Sequence, residues 1–242
     1  MSAYFSKCPE ERYSTIATIF KESVSIPVLT TPGDNEWNKC PDVSAAKSNY
    51  TKYFVGIEEH WNDNVLNPIA NSVERSGVNW AFAHSNIVFI SINMIEEVAS
   101  DEVDPLVRIN DNIAWFQEAC NQHNCESSRA VVIFGHSISN AHIVFDRVDA
   151  RLRSLQIPVV YFTGNGHEFM VKRGVGMGVL PGDYFWRVQV DSGKAGPPLS
   201  VTFRGNANMA SSADLTADGE GEFVFGGAFK IDRRVWANTT SL

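Results

Sequence analysis

Three hydrophobic runs in this chain each end in a polar, glycine-bearing loop, and that recurring unit constrains the fold more than any other feature. Ile26-Pro27-Val28-Leu29-Thr30 is stopped by Pro32-Gly33 and delivers Asp34-Asn35-Glu36-Trp37. Arg129-Ala130-Val131-Val132-Ile133-Phe134 delivers Gly135-His136, and Pro158-Val159-Val160-Tyr161-Phe162 delivers Gly164-Asn165-Gly166-His167-Glu168. Short β-prone runs closed by Gly and Pro read as strands, and continuous apolar runs suit strands buried on both faces. Binding and catalytic side chains concentrate on loops held at the ends of such strands.

The segments between these units have helical spacing. Glu10 and Glu11 open a stretch with Tyr13, Ile16, Ile19 and Phe20 on one face, ending near Ser23; residues 47–61, 105–122 and 141–155 read as further helices. Residues 78–83 and 86–93 read as strands joined by a tight His84-Ser85 turn, and the pattern beyond Phe169 turns to strands at 184–190 and 199–203. The expectation is an α/β chain with one principal domain over residues 1–205, followed by a C-terminal tail over 206–242 that can add a strand. A length of 242 residues suffices for one such core.

A formal net charge of −8 argues against nucleic acid as partner, since phosphate backbones are gripped by clustered Lys and Arg. No apolar run is long enough for a membrane span. The four cysteines fall as Cys8 with Cys40 and Cys120 with Cys125, an even count that permits two disulfides. Two sequons, Asn49-Tyr50-Thr51 and Asn238-Thr239-Thr240, lean the same way, toward a secreted or extracellular chain, although Met1 to Lys7 carries no signal-peptide apolar core.

Asp, Asn and His on successive loops offer oxygen and imidazole donors, the set that suits Mn, Fe, Zn or Mg. At this point the chain resembles the calcineurin-like metallophosphoesterases, particularly members with a Gly-Asp-Asn-Glu-Trp loop. The family pattern has five blocks: Asp-x-His, Gly-Asp-x-x-Asp, Gly-Asn-His-Asp/Glu, a lone His after a strand, and Gly-His-x-His. Gly33-Asp34-Asn35-Glu36 matches the third, Gly135-His136 the fourth and Gly164-Asn165-Gly166-His167 the fifth. The resemblance implies a four-layer α-β-β-α sandwich missing its first strands. It also implies two divalent or trivalent metal ions about 3.5 to 4 Å apart, and hydrolysis of a small phosphorylated substrate by a metal-bridging hydroxide. Asp34, His136 and Asn165 would serve one metal and His167 the other, with Asn35 at the catalytic position beside the leaving group.

The departures are informative. Asp34 replaces a metal-binding Asn and adds negative charge, whereas Asn35 replaces a His and cannot supply a proton at neutral pH. Asn165 replaces a His ligand with a weaker amide oxygen. No His precedes His60, so the first block cannot lie ahead of Asp34, and taking Gly33-Asp34 as the second block leaves too few His residues for the last two. The expectation is a chain that begins after the second block, with the remaining ligands encoded upstream.

Two other readings compete. Gly135-His136-Ser137-Ile138-Ser139 has the strand-turn-helix setting of a nucleophile elbow with Ser137 as nucleophile, but Ser139 stands where the second Gly is needed and no oxyanion segment precedes it. A non-catalytic phosphoesterase-like protein is the other, favoured by Asn35 and Asn165. Beside these, Asp34 alone is ordinary turn chemistry. His60, His84 and His123 read as surface, His142 as an exposed start of a helix, and Trp37, Trp61, Trp80 and Trp115 as packing residues.

Overall fold

The computed structural model describes residues 8–36, 38–61, 69–70, 77–95, 105–173, 185–191, 198–203, 216–217, 222–225 and 229–232. The helices are α1 (Glu10–Ser23), α2 (Val43–Phe54), α3 (Pro105–Gln122) and α4 (Ala141–Leu155). The strands of the first sheet are β1 (Ile69–Ala70), β2 (Trp80–His84), β3 (Ile87–Ser91), β4 (Ala130–Gly135), β5 (Val159–Thr163), β6 (Met170–Arg173) and β7 (Phe185–Gln189). A second sheet contains β8 (Ser200–Phe203), β9 (Thr216–Ala217), β10 (Glu222–Phe225) and β11 (Phe229–Asp232).

The first sheet runs β1-β2-β3-β4-β5-β7-β6. Its centre, β3 to β4 to β5 to β7, is parallel, with Val88 beside Val131, Val131 beside Val159 and Val159 beside Phe185. The edges β1, β2 and β6 are antiparallel. The fold is therefore α/β, with a mixed sheet and a smaller antiparallel one.

The two-residue period of strands decides which layer each side chain enters. Val131 and Ile133 of β4 face α3 and α4, in a core with Trp115, Phe116, Phe145 and Tyr161. Val132 of β4 and Val160 and Phe162 of β5 face the second sheet, packing with Phe229 and Ile231. Among the described residues this makes three layers: helices, first sheet, second sheet. β11 pairs with β8 from Phe229↔Phe203 to Asp232↔Ser200, so strands on both sides of position 205 share one sheet.

A separate cluster holds α1 and α2 together through Tyr13, Ala17, Tyr50 and Phe54. It is closed by Cys8–Cys40, whose Cα atoms are 5.6 Å apart; Cys120–Cys125 ties the end of α3 to the turn after it. Both pairings are compatible with an oxidising compartment. Among the described residues no helix is long and apolar enough to cross a membrane.

Three sequence expectations are corrected. Residues 26–30 form no strand, because Pro27 has no N–H to give a ladder and the Thr30 carbonyl accepts instead from Trp80 Nε1 at 2.7 Å, while its hydroxyl accepts from Tyr50 at 2.9 Å. The helix expected at 47–61 starts earlier, at Val43, where the Asp42 carboxylate accepts from Ala45 N at 2.9 Å. It stops at Phe54, ahead of Gly56 with φ 76°, and Ile57–Trp61 forms a separate 3-10 turn. The β2–β3 turn falls on Ser85-Asn86, one residue later than expected, both with positive φ, as the twist of a two-residue hairpin requires. The tail's Asn238 sequon and Trp37 lie outside the described residues.

Candidate functional site

The site is assembled at the carboxyl ends of β4 and β5, where the Pro32–Glu36 turn folds against them. In open α/β sheets that edge is where ligands bind, because the chain must leave the sheet there and exposes side chains held by rigid strands.

Position 136 is fixed by its backbone. After β3 the chain runs on as Ile92–Met94, and the Met94 carbonyl accepts from His136 N at 3.2 Å and Ser137 N at 2.7 Å. From the other side, Thr163 Oγ1 donates to the His136 carbonyl at 2.5 Å and Asn165 N donates to it at 3.2 Å. The Met94 strut is itself held by buried Asn112 of α3, which receives the Asn93 N–H at 2.9 Å and donates to the Asn93 carbonyl at 3.1 Å. Asn79 Nδ2 completes the hub, donating to Asn112 Oδ1 at 3.0 Å. None of this was visible in the motif spacing. An Asn among apolar residues of an amphipathic helix is the one signal that could have found it, since a buried amide has to be satisfied.

Against this fixed loop sits Asp34, 6% exposed. Its Oδ1 lies 3.1 Å from His136 Nε2 and its Oδ2 3.4 Å from Lys39 Nζ. The ring nitrogen is sheltered from water and faces the carboxylate at ion-pair distance. The approach of His136 stabilises the charged carboxylate, and with Lys39 it outweighs burial and brings the Asp34 pKa down to about 2.

Glu36, not assigned a role from the sequence, belongs to the same turn. Its Oε2 accepts from Gly33 N at 2.7 Å, and Tyr13 OH donates to its backbone carbonyl. Burial raises the Glu36 carboxyl above the usual carboxylate range, partly opposed by the Gly33 N–H and His136. A Cβ at Gly33 would sit 2.8 Å from Glu36 Oε2 and 3.0 Å from His136 Nδ1, so any larger residue there would push on both side chains.

The motif residues thus fall into three groups. Asp34 and His136 are brought together, and Asn165 joins them through its backbone bond to His136. Asn35 lines a separate hollow of about 250 Å³ with Tyr13, Phe20, Tyr50 and Phe54. His167 is exposed, with φ 60°, at the outer end of its loop. Among the described residues no three His, Cys, Asp or Glu side chains stand close enough to hold a cation, so His167 is not gathered with Asp34 and His136. Ser137 is fully buried, and its Oγ accepts from Asn140 N at 2.9 Å at the start of α4. Trp115 and Trp80 are packing residues as expected, donating to the Ser91 and Thr30 carbonyls.

Comparison of the chain with protein-family models, with curated proteins and with solved structures returned no match. Function rests on the geometry.

Asp34 and His136 offer two donors of the kind a hard or borderline cation takes, fewer than the three or more protein ligands such a site ordinarily has. A carboxylate oxygen and an imidazole nitrogen converge within 3.1 Å, and the nitrogen is sheltered from water.

Proposed function

We propose that the chain carries part of the centre of a metal-dependent phosphoric ester hydrolase on a calcineurin-like fold. One observation carries the reading: the 3.1 Å approach of Asp34 Oδ1 and His136 Nε2 at the sheet edge, a carboxylate oxygen beside an imidazole nitrogen. In this reading Asp34 and His136 would hold one cation, with Asn165, whose N–H is bonded to the His136 carbonyl, as the nearest further donor in the loop. His167, exposed at the outer end of its loop, would have to turn inward to serve a second cation. Cations held there supply the charge that activates water and offsets the developing charge on phosphate oxygens.

The protein's own residues do the remaining work. The Met94 carbonyl, Thr163 and the Asn165 N–H fix the position of the imidazole. His136 above all, with a smaller part from Lys39, keeps the Asp34 carboxyl ionised, as a ligand has to be. Asn35, which lines the separate hollow beside α1 and α2, takes no part in this reading. The burial of Ser137 and its bond to Asn140 N weigh against the serine hydrolase, because a nucleophile has to reach its substrate.

The outward position of His167 and the amides at 35 and 165 favour a second reading, a binding protein that retains one cation without turnover. Metal content after equilibration with Mn or Zn, read together with hydrolysis of p-nitrophenyl phosphate, separates them. Cation-dependent hydrolysis abolished by a chelator supports the enzyme. A bound cation without hydrolysis supports the binder, and no bound cation removes both.

A further inference from the structure

A cavity of about 820 Å³ lies between the two sheets. That is within the range of small-molecule sites, whose walls are mostly apolar with a few polar groups set at one place. Its walls come from Phe134 of β4, Phe162 of β5, and Val201 and Phe203 of β8, with Leu199 just ahead of β8. The β8 side chains are only partly buried, although the faces they oppose are core. The sheets meet at Phe203, whose ring stands edge-on to Phe89 of β3 with centroids 5.5 Å apart, and the cavity lies beside that contact.

Polar groups are confined to one end. His136 follows β4, Thr163 ends β5, and Asp191 follows β7; these three strands are parallel, so their carboxyl ends lie along one edge. Val190 N donates to the Thr163 carbonyl at 2.9 Å, which holds Asp191 beside that edge, and Asp191 Oδ1 accepts from Phe169 N at 3.1 Å. His136 thus belongs both to the pair with Asp34 and to the rim of an apolar chamber.

The geometry points to a substrate with two chemically distinct parts: a phosphoester head at His136 on the rim, and an alkyl or aryl body running inward between the sheets. Sugar phosphates and nucleotides do not fit this division, since their hydroxyls and ring nitrogens would lose water against Phe134, Phe162 and Phe203 without replacement bonds. The head assignment rests on the proposed hydrolase reading, whereas the apolar chamber does not. Each methylene taken from water into such a chamber gives about a fourfold gain in binding.

The test is binding of n-alkyl phosphates from butyl to decyl, each below its micelle-forming concentration, by calorimetry with and without Mn. Affinity is expected to rise about fourfold per methylene until the chamber is filled, then level off. Val201→Trp, which fills the chamber, is expected to weaken n-octyl phosphate at least tenfold and to leave n-butyl phosphate nearly unchanged; Leu199→Trp serves as the second variant should the first lose its circular-dichroism signature. Affinity independent of chain length, or folded Trp variants that bind n-octyl phosphate as the parent does, would overturn the inference. A chain-length slope that is the same with and without Mn, with no turnover of any homologue, upholds the chamber and removes the hydrolase reading.

Discussion

Asp34 Oδ1 lies 3.1 Å from His136 Nε2, although one residue sits in an irregular turn ahead of α2 and the other at the end of β4. The contact joins the helical cluster of α1 and α2 to the main sheet at its carboxyl edge. It is also the point at which the proposed chemistry is most directly open to test.

Removing either member should remove the cation. Asp34→Asn keeps the shape and deletes the charge, and His136→Ala deletes the nitrogen; each is expected to lower Mn or Zn affinity at least tenfold, by analogy with the cost of disturbing metal-site partners. Equilibrium dialysis followed by elemental analysis provides the measurement. Parent-like metal content in both variants would mean that the cation, if bound, sits elsewhere.

The Asp34 carboxyl sets an acid limit. Its pKa falls from 3.8 to about 2 on folding, so its contribution is complete above the unfolded value and is lost as pH drops from 3.8 through about 2. Denaturant midpoints should therefore fall more steeply across that window in the parent than in Asp34→Asn. Parallel pH profiles for the two would show that the carboxylate gains nothing from its neighbours.

Asn112 is expected to matter for both stability and the site. Asn112→Leu leaves the Asn93 N–H and C=O without their partner in the core, a loss of about 2 to 3 kcal/mol. Since Asn93 adjoins the Met94 carbonyl that receives the His136 N–H, metal affinity should fall too, beyond what reduced folded population explains. Urea titration gives the first quantity and metal titration of the folded fraction the second; unchanged metal affinity would confine Asn112 to stability.

The two disulfides should differ in weight. Cys8–Cys40 closes a separation of 32 residues and Cys120–Cys125 one of 5, and the longer closure restricts the unfolded chain more. Replacing the first pair by Ala is expected to cost about 3 to 4 kcal/mol and the second about 2 kcal/mol. Thermal unfolding of the two double variants ranks them. The first should also loosen the Asp34–Glu36 turn, which Cys40 and the Tyr13 bond to Glu36 hold in place.

The long periodic elements were legible because periodicity is a local signal. Glu10 to Ser23, Pro105 to Gln122 and Ala141 to Leu155 carry enough turns for the apolar face to declare itself, and β4 and β5 are continuous apolar runs. The run at 26–30 misled because a β-prone composition states a preference, while strand formation needs a neighbour with free ladder positions. β6, at Met170–Arg173, was missed since Met-Val-Lys-Arg is short and half polar, and it pairs only because β7 leaves an edge beside it.

The amino-acid sequence by itself determined the α/β class, the strands β4 and β5 with their loops, and the candidacy of Asp34, His136, Asn165 and His167, because each follows from residue type and local spacing. Tertiary structure alone decided which of those groups meet. It turned Asp34 onto His136 and left His167 facing water. It also recruited Asn112, Glu36 and the Met94 carbonyl, and opened a chamber between the sheets. The physical reason is that a side chain's neighbours across a sheet or a helix face are set by packing and by the need to satisfy buried polar groups, and neither is written in the distance between two positions along the chain.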